Sequence, residues 1–238
     1  MFRRLLKEGV VAGTAGGVVL ATVLRLLGEG PIGRAVALEG GGGDELFGRG
    51  AQQLGGMVAA VLYGAAMGAV FTIAYASVRH RLRATDDWRA GVAVALAGFL
   101  AVFLLPFLKY PANPPAVGDP GTIAGRTVLY VVAVGWSVVA TWAGWRAWRA
   151  LVERGLPVHR AVPATAALWV ALAAAGLAAL PADAEPVTVP AALLWELRLA
   201  TVAGAVAFWS VLAMVFGWLR ARHRPHVMVA GVDVHEGA

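Results

Sequence analysis

The chain has 238 residues, 59% of them hydrophobic and only 14% charged, with a formal net charge of +6 and no cysteine. A soluble domain carries about 25% charged residues, so an ordinary water-soluble fold is excluded. So are disulfides, thiolate metal sites and a cysteine nucleophile.

Arg3, Arg4 and Lys7 open a basic amino terminus, and an apolar stretch follows over residues 9–28. Arg25 stands where a signal-peptide cleavage site would fall, so the stretch reads as a retained first span. Gly9, Gly13, Gly17 and Ala21 recur every four residues and present a face that a neighbouring backbone can approach closely. Residues 29–53 read as a loop with Pro31, the acids Glu39, Asp44 and Glu45, and a glycine run at 40–43. That run lacks the Lys-Ser/Thr that completes a nucleotide-binding loop. A second span is predicted over residues 54–78, where Ala60, Gly64, Gly68, Thr72 and Ala76 repeat the four-residue spacing. Two successive small-faced helices predict a tight pair. Arg79-His80-Arg81-Leu82-Arg83 then forms a dense basic cluster.

The third span, residues 90–108, runs through Pro106 into Leu108-Lys109-Tyr110-Pro111-Ala112-Asn113-Pro114-Pro115, continuing to Asp119, Pro120, Thr122 and Arg126. Four prolines between 111 and 120 fix φ, remove donors and push the preceding residues towards extended backbone. Ordered, non-helical chain is expected there. The fourth span, residues 127–148, ends in Trp142, Trp145 and Trp148 with Arg146 and Arg149, an interfacial belt. The fifth covers residues 161–180, and a short acidic loop with Asp183 and Glu185 leads to the sixth, residues 191–219, with Glu196 and Arg198 in its early turns. A flexible cytoplasmic tail is expected over residues 221–238.

These readings predict an all-α polytopic membrane protein of six spans in a single transmembrane domain, residues 1–220. With both termini on one side, the basic residues of 1–8, 79–89, 146–160 and 220–238 gather on that side. The positive-inside rule makes it cytoplasmic, in a prokaryotic plasma membrane, and puts the proline stretch outside. Basic residues clustered between apolar runs belong to membrane topology, so a lipid bilayer rather than nucleic acid is the expected partner. Division at the proline stretch leaves two three-span halves of opposite orientation, the arrangement of a 3+3 inverted repeat.

No span carries His, Asp or Glu at metal-binding helical spacing, no nucleophile motif is present, and nothing resembles an ATP-binding loop. An enzyme is therefore not expected. All five histidines, His80, His159, His223, His226 and His235, fall in predicted cytoplasmic segments. Arg126, Glu196 and Arg198 are distinct from ordinary loop charges because they adjoin or enter long apolar runs, where charge is costly. Arg126 opens the fourth span, where a cation gains nothing from the helix dipole. Carboxylate partners are expected for it, Asp119 through the intervening turn and Glu196 from the last span, and a planar guanidinium can bridge both and fix the proline stretch over the outer mouth.

The run from Pro106 to Tyr130 resembles the signature of the CbtA family of cobalt transporter subunits. Trp195-Glu196-Leu197-Arg198 is similar to the start of that family's last helix, and Gly98-Phe99-Leu100 and an early loop with Glu39 also fit. The resemblance implies a membrane subunit of an uptake system for cobalt or a similar divalent metal. It also implies a small single-span CbtB-like partner bearing histidines, with Co²⁺ as transported ion rather than as cofactor. Imidazole suits Co²⁺, and here a partner would supply it on the outer side. Glu39, Lys109, Tyr110, Asn113, Asp119, Thr122, Arg126, Glu196 and Arg198 are the candidate pathway or outer-gate residues. Rival readings are a non-transporting scaffold in cobalt or cobalamin metabolism and a transporter of an anionic solute. Oligomer formation is compatible with all of them.

Overall fold

The computed structural model describes residues 2–38, 48–82, 86–114, 120–182 and 189–222. Its helices are α1 (Phe2–Val23), α2 (Glu29–Leu38), α3 (Arg49–Val78), α4 (Asp87–Gly98), α5 (Leu105–Lys109), α6 (Ile123–Glu153), α7 (Val158–Ala179) and α8 (Ala191–Ala221). No strand occurs among the described residues. Six helical segments are long and apolar enough to cross a bilayer, as the hydropathy pattern predicts. The ends of α1 and α8 that carry the chain termini meet, since Arg220 reaches Glu8.

The first span is longer than expected. A π-helical turn at Leu24–Gly28 joins α1 to α2 without a break, so residues 29–38 are helix rather than loop. Pro31 is compatible with this because Leu27, whose carbonyl a regular helix would press against the proline ring, lies in the π turn; Pro31 is buried there with Ala35. The third span is also continuous through a wide turn, Phe99–Leu104, in which Leu105 N–H bonds to the Leu100 carbonyl. A proline ring collides with the carbonyl four residues earlier in a regular helix, and the π turn ahead of Pro106 relieves that collision. Phe99, Phe103 and Phe107 stack along this segment at centroid spacings of 5.7 and 5.2 Å.

Caps and turns set the remaining boundaries. Asp86 accepts from Arg89 N–H at 2.7 Å and caps α4. Between α6 and α7, Gly155 takes the left-handed conformation, φ 83°. Gly155 N–H bonds to Val152 O and Leu156 N–H to Leu151 O, both at 3.0 Å. This is the paired-bond helix ending that favours glycine, and it folds α7 back along α6.

α1 and α3 pack backbone to backbone. A Cβ added at Gly13 would overlap the Gly64 carbonyl oxygen and lie 2.7 Å from Gly68 Cα; one at Gly64 would overlap Gly13 O and lie 2.7 Å from Gly17 Cα. The small-residue faces read from the sequence are this interface. The α6–α7 seam uses glycine against tryptophan instead: Trp136 lies over Gly176 and donates to Leu172 O at 2.9 Å, while Trp169 donates to Thr141 Oγ1 at 3.2 Å. α8 is the most buried helix, with Phe208, Leu212 and Phe216 in a core that also holds Phe71, Tyr75 and Ala12.

The first span packs on the second and the sixth, the fourth on the fifth and the third, and the third on the sixth. Exchanging spans one to three with spans four to six leaves this neighbour map unchanged. α3 also touches α4, a contact without a counterpart of similar extent between α7 and α8. Large apolar side chains, among them Leu62, Val131, Val170 and Trp195, stay exposed on the bundle's outside. Lipid rather than water suits so broad an apolar surface.

Gly13→Leu and Gly64→Leu force the α1–α3 seam apart. Each is expected to cost on the order of 3 kcal/mol or more, read as lowered expression and a lower melting temperature in detergent. Wild-type behaviour of both variants would contradict the packing.

Candidate functional site

The two ends of the bundle carry different polar structures. At the end opposite the termini, the mouth, four ties join the helices. Glu29 at the start of α2 accepts from Arg49 and Gln53 of α3, both at 2.7 Å. Arg34 of α2 pairs with Glu196 of α8. Arg198 of α8 donates through Nε to Ala112 O and through a terminal nitrogen to Asn113 Oδ1, both at 3.2 Å. Tyr110 donates its hydroxyl to Pro181 O, beyond α7, at 2.8 Å. The non-helical backbone at 111–114 is thus held from α8, and the adjoining Tyr110 is tied to the segment beyond α7.

Between the proline stretch and the start of α6 lies an open cavity of about 760 Å³, lined by Tyr110, Asn113, Thr122, Arg126, Thr127 and Tyr130, among others. Four of the candidate residues, Tyr110, Asn113, Thr122 and Arg126, therefore share one wall system, and Arg198 joins them through Asn113. Lys109 lies beside this group, with Nζ 5.9 Å from the Tyr110 ring centroid. Thr127 and Tyr130 were not singled out from the sequence. They continue the Arg126 end of α6, and their spacing could have flagged them.

Glu196 is a correction. It does not meet Arg126; its carboxylate is taken by Arg34. The cause is the helix over 29–38, which replaces the expected loop and lays Arg34 against the start of α8. Glu39 and Asp119, and with them the proposed Asp119–Arg126 contact, lie outside the described residues.

The opposite, terminal end holds a knot that sequence reasoning missed. Arg220 of α8 donates to Asp87 Oδ2 of α4 at 2.7 Å and reaches Glu8 Oε2 of α1 at 3.4 Å. Tyr75 of α3 donates to Asp87 Oδ1 at 2.8 Å, and Arg4 stands 3.3 Å from Glu8 Oε1. The side chains of Arg220, Glu8 and Asp87 are only 17%, 7% and 29% exposed, against 57% and 46% for Arg34 and Glu196. Phe71 and Tyr75 close edge-on against Phe216 beneath the knot, each at 4.9 Å. The available signal was Glu8, a lone acid in a basic segment, with Arg220 at the far end of the chain.

Chemically, the described lining of the mouth cavity offers hydroxyl, amide and guanidinium groups, with the carboxylates of Glu29 and Glu196 engaged in ties elsewhere at that end. Among the described residues, no three His, Cys, Asp or Glu side chains gather to hold a metal.

Six apolar spans with polar ties at both ends and an open cavity at one of them define a polytopic helical membrane protein. The family model described as probable cobalt transporter subunit (CbtA) matches residues 2–221, and the chain belongs to that family. No curated protein and no solved structure gives a significant match. The resemblance carried by residues 106–130 thus extends across all six spans, and the chain is a multi-pass membrane protein of a transporter family.

The unequal burial of the two ends has a measurable consequence. Arg220→Ala leaves Asp87 and Glu8 without their shared cation and is expected to cost about 3 kcal/mol, whereas Arg34→Ala should cost less than about 1 kcal/mol. Thermal unfolding in detergent compares them, and equal losses would contradict the difference.

Proposed function

We propose that this chain is the membrane subunit of an uptake system for cobalt, or a similar divalent metal, in a prokaryotic plasma membrane. Both termini are cytoplasmic, so the mouth faces outwards. The observation that carries this reading is the family match over all six spans, with the signature segment forming the wall of the mouth cavity. Arg126, Tyr110 and Asn113 form the path into the bundle. A small single-span partner supplies the imidazole that the mouth lacks, because oxygen donors alone select poorly for cobalt over commoner hard cations.

The exchangeable neighbour map of the spans supports a 3+3 inverted repeat. A repeat of that kind rocks about a central site and opens one end at a time. In this conformation the mouth holds an open cavity while the opposite end is sealed by the Arg220 knot and the Phe71–Tyr75–Phe216 cluster, which suits an outward-facing state. Entry to the cytoplasm then requires Arg220 to leave Asp87 and Glu8.

Two experiments test the proposal. The native chain lacks cysteine, so Asn113→Cys and Ala221→Cys report sidedness with an impermeant thiol reagent; only the first should label from outside, and outside labelling at Ala221 reverses or breaks the topology. Radiolabelled Co²⁺ uptake, measured in cells carrying this chain with and without its single-span partner, should require both. Arg126→Ala and Arg126→Lys should each lower uptake at least tenfold with unchanged protein levels, since a lysine cannot reproduce planar multi-donor contacts. Wild-type uptake by both Arg126 variants removes that residue from the path, and absence of cobalt uptake by the complete pair removes the proposed substrate.

A further inference from the structure

A groove on the lipid-facing side runs between α4, α6 and α7, enclosing about 380 Å³. Small residues, Ala93 and Ala97 of α4, Gly144 of α6 and Ala166 of α7, line much of it, with Trp145 and Trp148 towards the terminal end. From Ala93 to Leu100 the groove follows about 10 Å of helix axis, most of one leaflet's hydrocarbon depth of roughly 15 Å.

Towards the terminal end, each of the three helices continues this face with a residue that is basic or can become so. Arg89 stands four residues before Ala93 on α4, Arg149 four after Trp145 on α6, and His159 three before Val162 on α7. Residues three or four apart share a helix face, so each of the three continues its helix's side of the groove towards the interfacial end. Arg149 lies over the Trp145 ring, 5.4 Å from its centroid. The acids near these arginines are weak competitors: Asp86 is 3.9 Å from Arg89, and Glu153 pairs with Arg149 at an exposed i,i+4 position. Trp145 itself is incomplete, since its indole N–H is buried in the groove wall without an acceptor among the described residues. In a setting without water, such a donor favours any oxygen brought alongside.

We propose that this groove binds one anionic phospholipid. An acyl chain lies along Ala93, Ala97, Gly144 and Ala166, and the phosphate is held by Arg89 and Arg149, with an oxygen within reach of Trp145 after a small ring rotation. Charge complementarity selects this occupant. An apolar partner helix leaves the arginines unused, and a second copy docked about a two-fold axis brings like charges together.

The test uses the full chain purified in neutral detergent and titrated with phosphatidylglycerol or phosphatidylcholine, followed by native mass spectrometry and melting temperature. Phosphatidylglycerol should bind with at least tenfold preference and raise the melting temperature. The Arg89→Gln/Arg149→Gln double variant should lose roughly thirtyfold in that affinity, while melting like the native chain in the absence of lipid. Ala97→Phe, which fills the groove, should abolish the bound lipid; if it fails to fold, the double arginine variant alone decides. Equal binding of both lipids, or a preference for phosphatidylglycerol that survives loss of both arginines, overturns the proposal. So does efficient disulfide formation between two copies of Ala97→Cys in lipid, which would make a second copy the occupant.

Discussion

Inside a bilayer an apolar side chain gains little by leaving lipid for protein, so helices hold together through close packing and polar contacts. The backbone contact of α1 with α3 at Gly13, Gly64 and Gly68 meets that constraint most directly. It forms a two-helix platform over which α8 is laid, with Phe208 against Gly16 and Leu20 against Gly204. Once α8 is placed, its two ends are placed as well. One brings Arg220 to Glu8, and the other brings Glu196 to Arg34. The ties at both ends of the molecule are therefore consequences of a glycine seam that contains no charge.

Those ties are not equivalent. The Arg220 knot joins α1, α3, α4 and α8 through nearly buried charges, where loss of one partner strands another. At the mouth the Glu29–Arg49 pair is partly buried, the proline stretch is reached through neutral oxygens, Ala112 O and Asn113 Oδ1, and the Arg34–Glu196 pair is half-exposed. Exposed pairs of that kind are worth little and exchange readily with water. The Arg34–Glu196 tie therefore yields more readily than the Arg220 knot, and it lies at the end that carries the open cavity.

The spans and the small-residue seam were legible because both depend on periodicity along the chain. Gly9, Gly13 and Gly17 lie on one face whatever the rest of the molecule does, and Ala60, Gly64 and Gly68 match them. The non-helical backbone at 111–114 was legible because proline's backbone restriction is local. The pairing of charges was not. Glu196 goes to Arg34 because residues 29–38 are helical, and that helix depends on a π turn at Leu24–Gly28 that no local propensity announces. Glu8, Asp87 and Arg220 are separated by most of the chain, and only the α8 packing makes them neighbours.

The chemistry of the mouth bears on how a metal system would be divided between chains. Among the described residues the cavity wall offers hydroxyl and amide oxygens, which hold a doubly charged ion only weakly against water. Moving imidazoles onto a second subunit separates capture from passage. In the proposed system the partner would set the affinity and this chain the route, and neither would need a buried high-affinity site that retains the ion. Conduction requires binding strong enough to admit an ion and weak enough to release it. A wall of Tyr110, Asn113, Thr122 and Tyr130 meets the second half of that requirement, and in the proposed system the first half would fall to the partner.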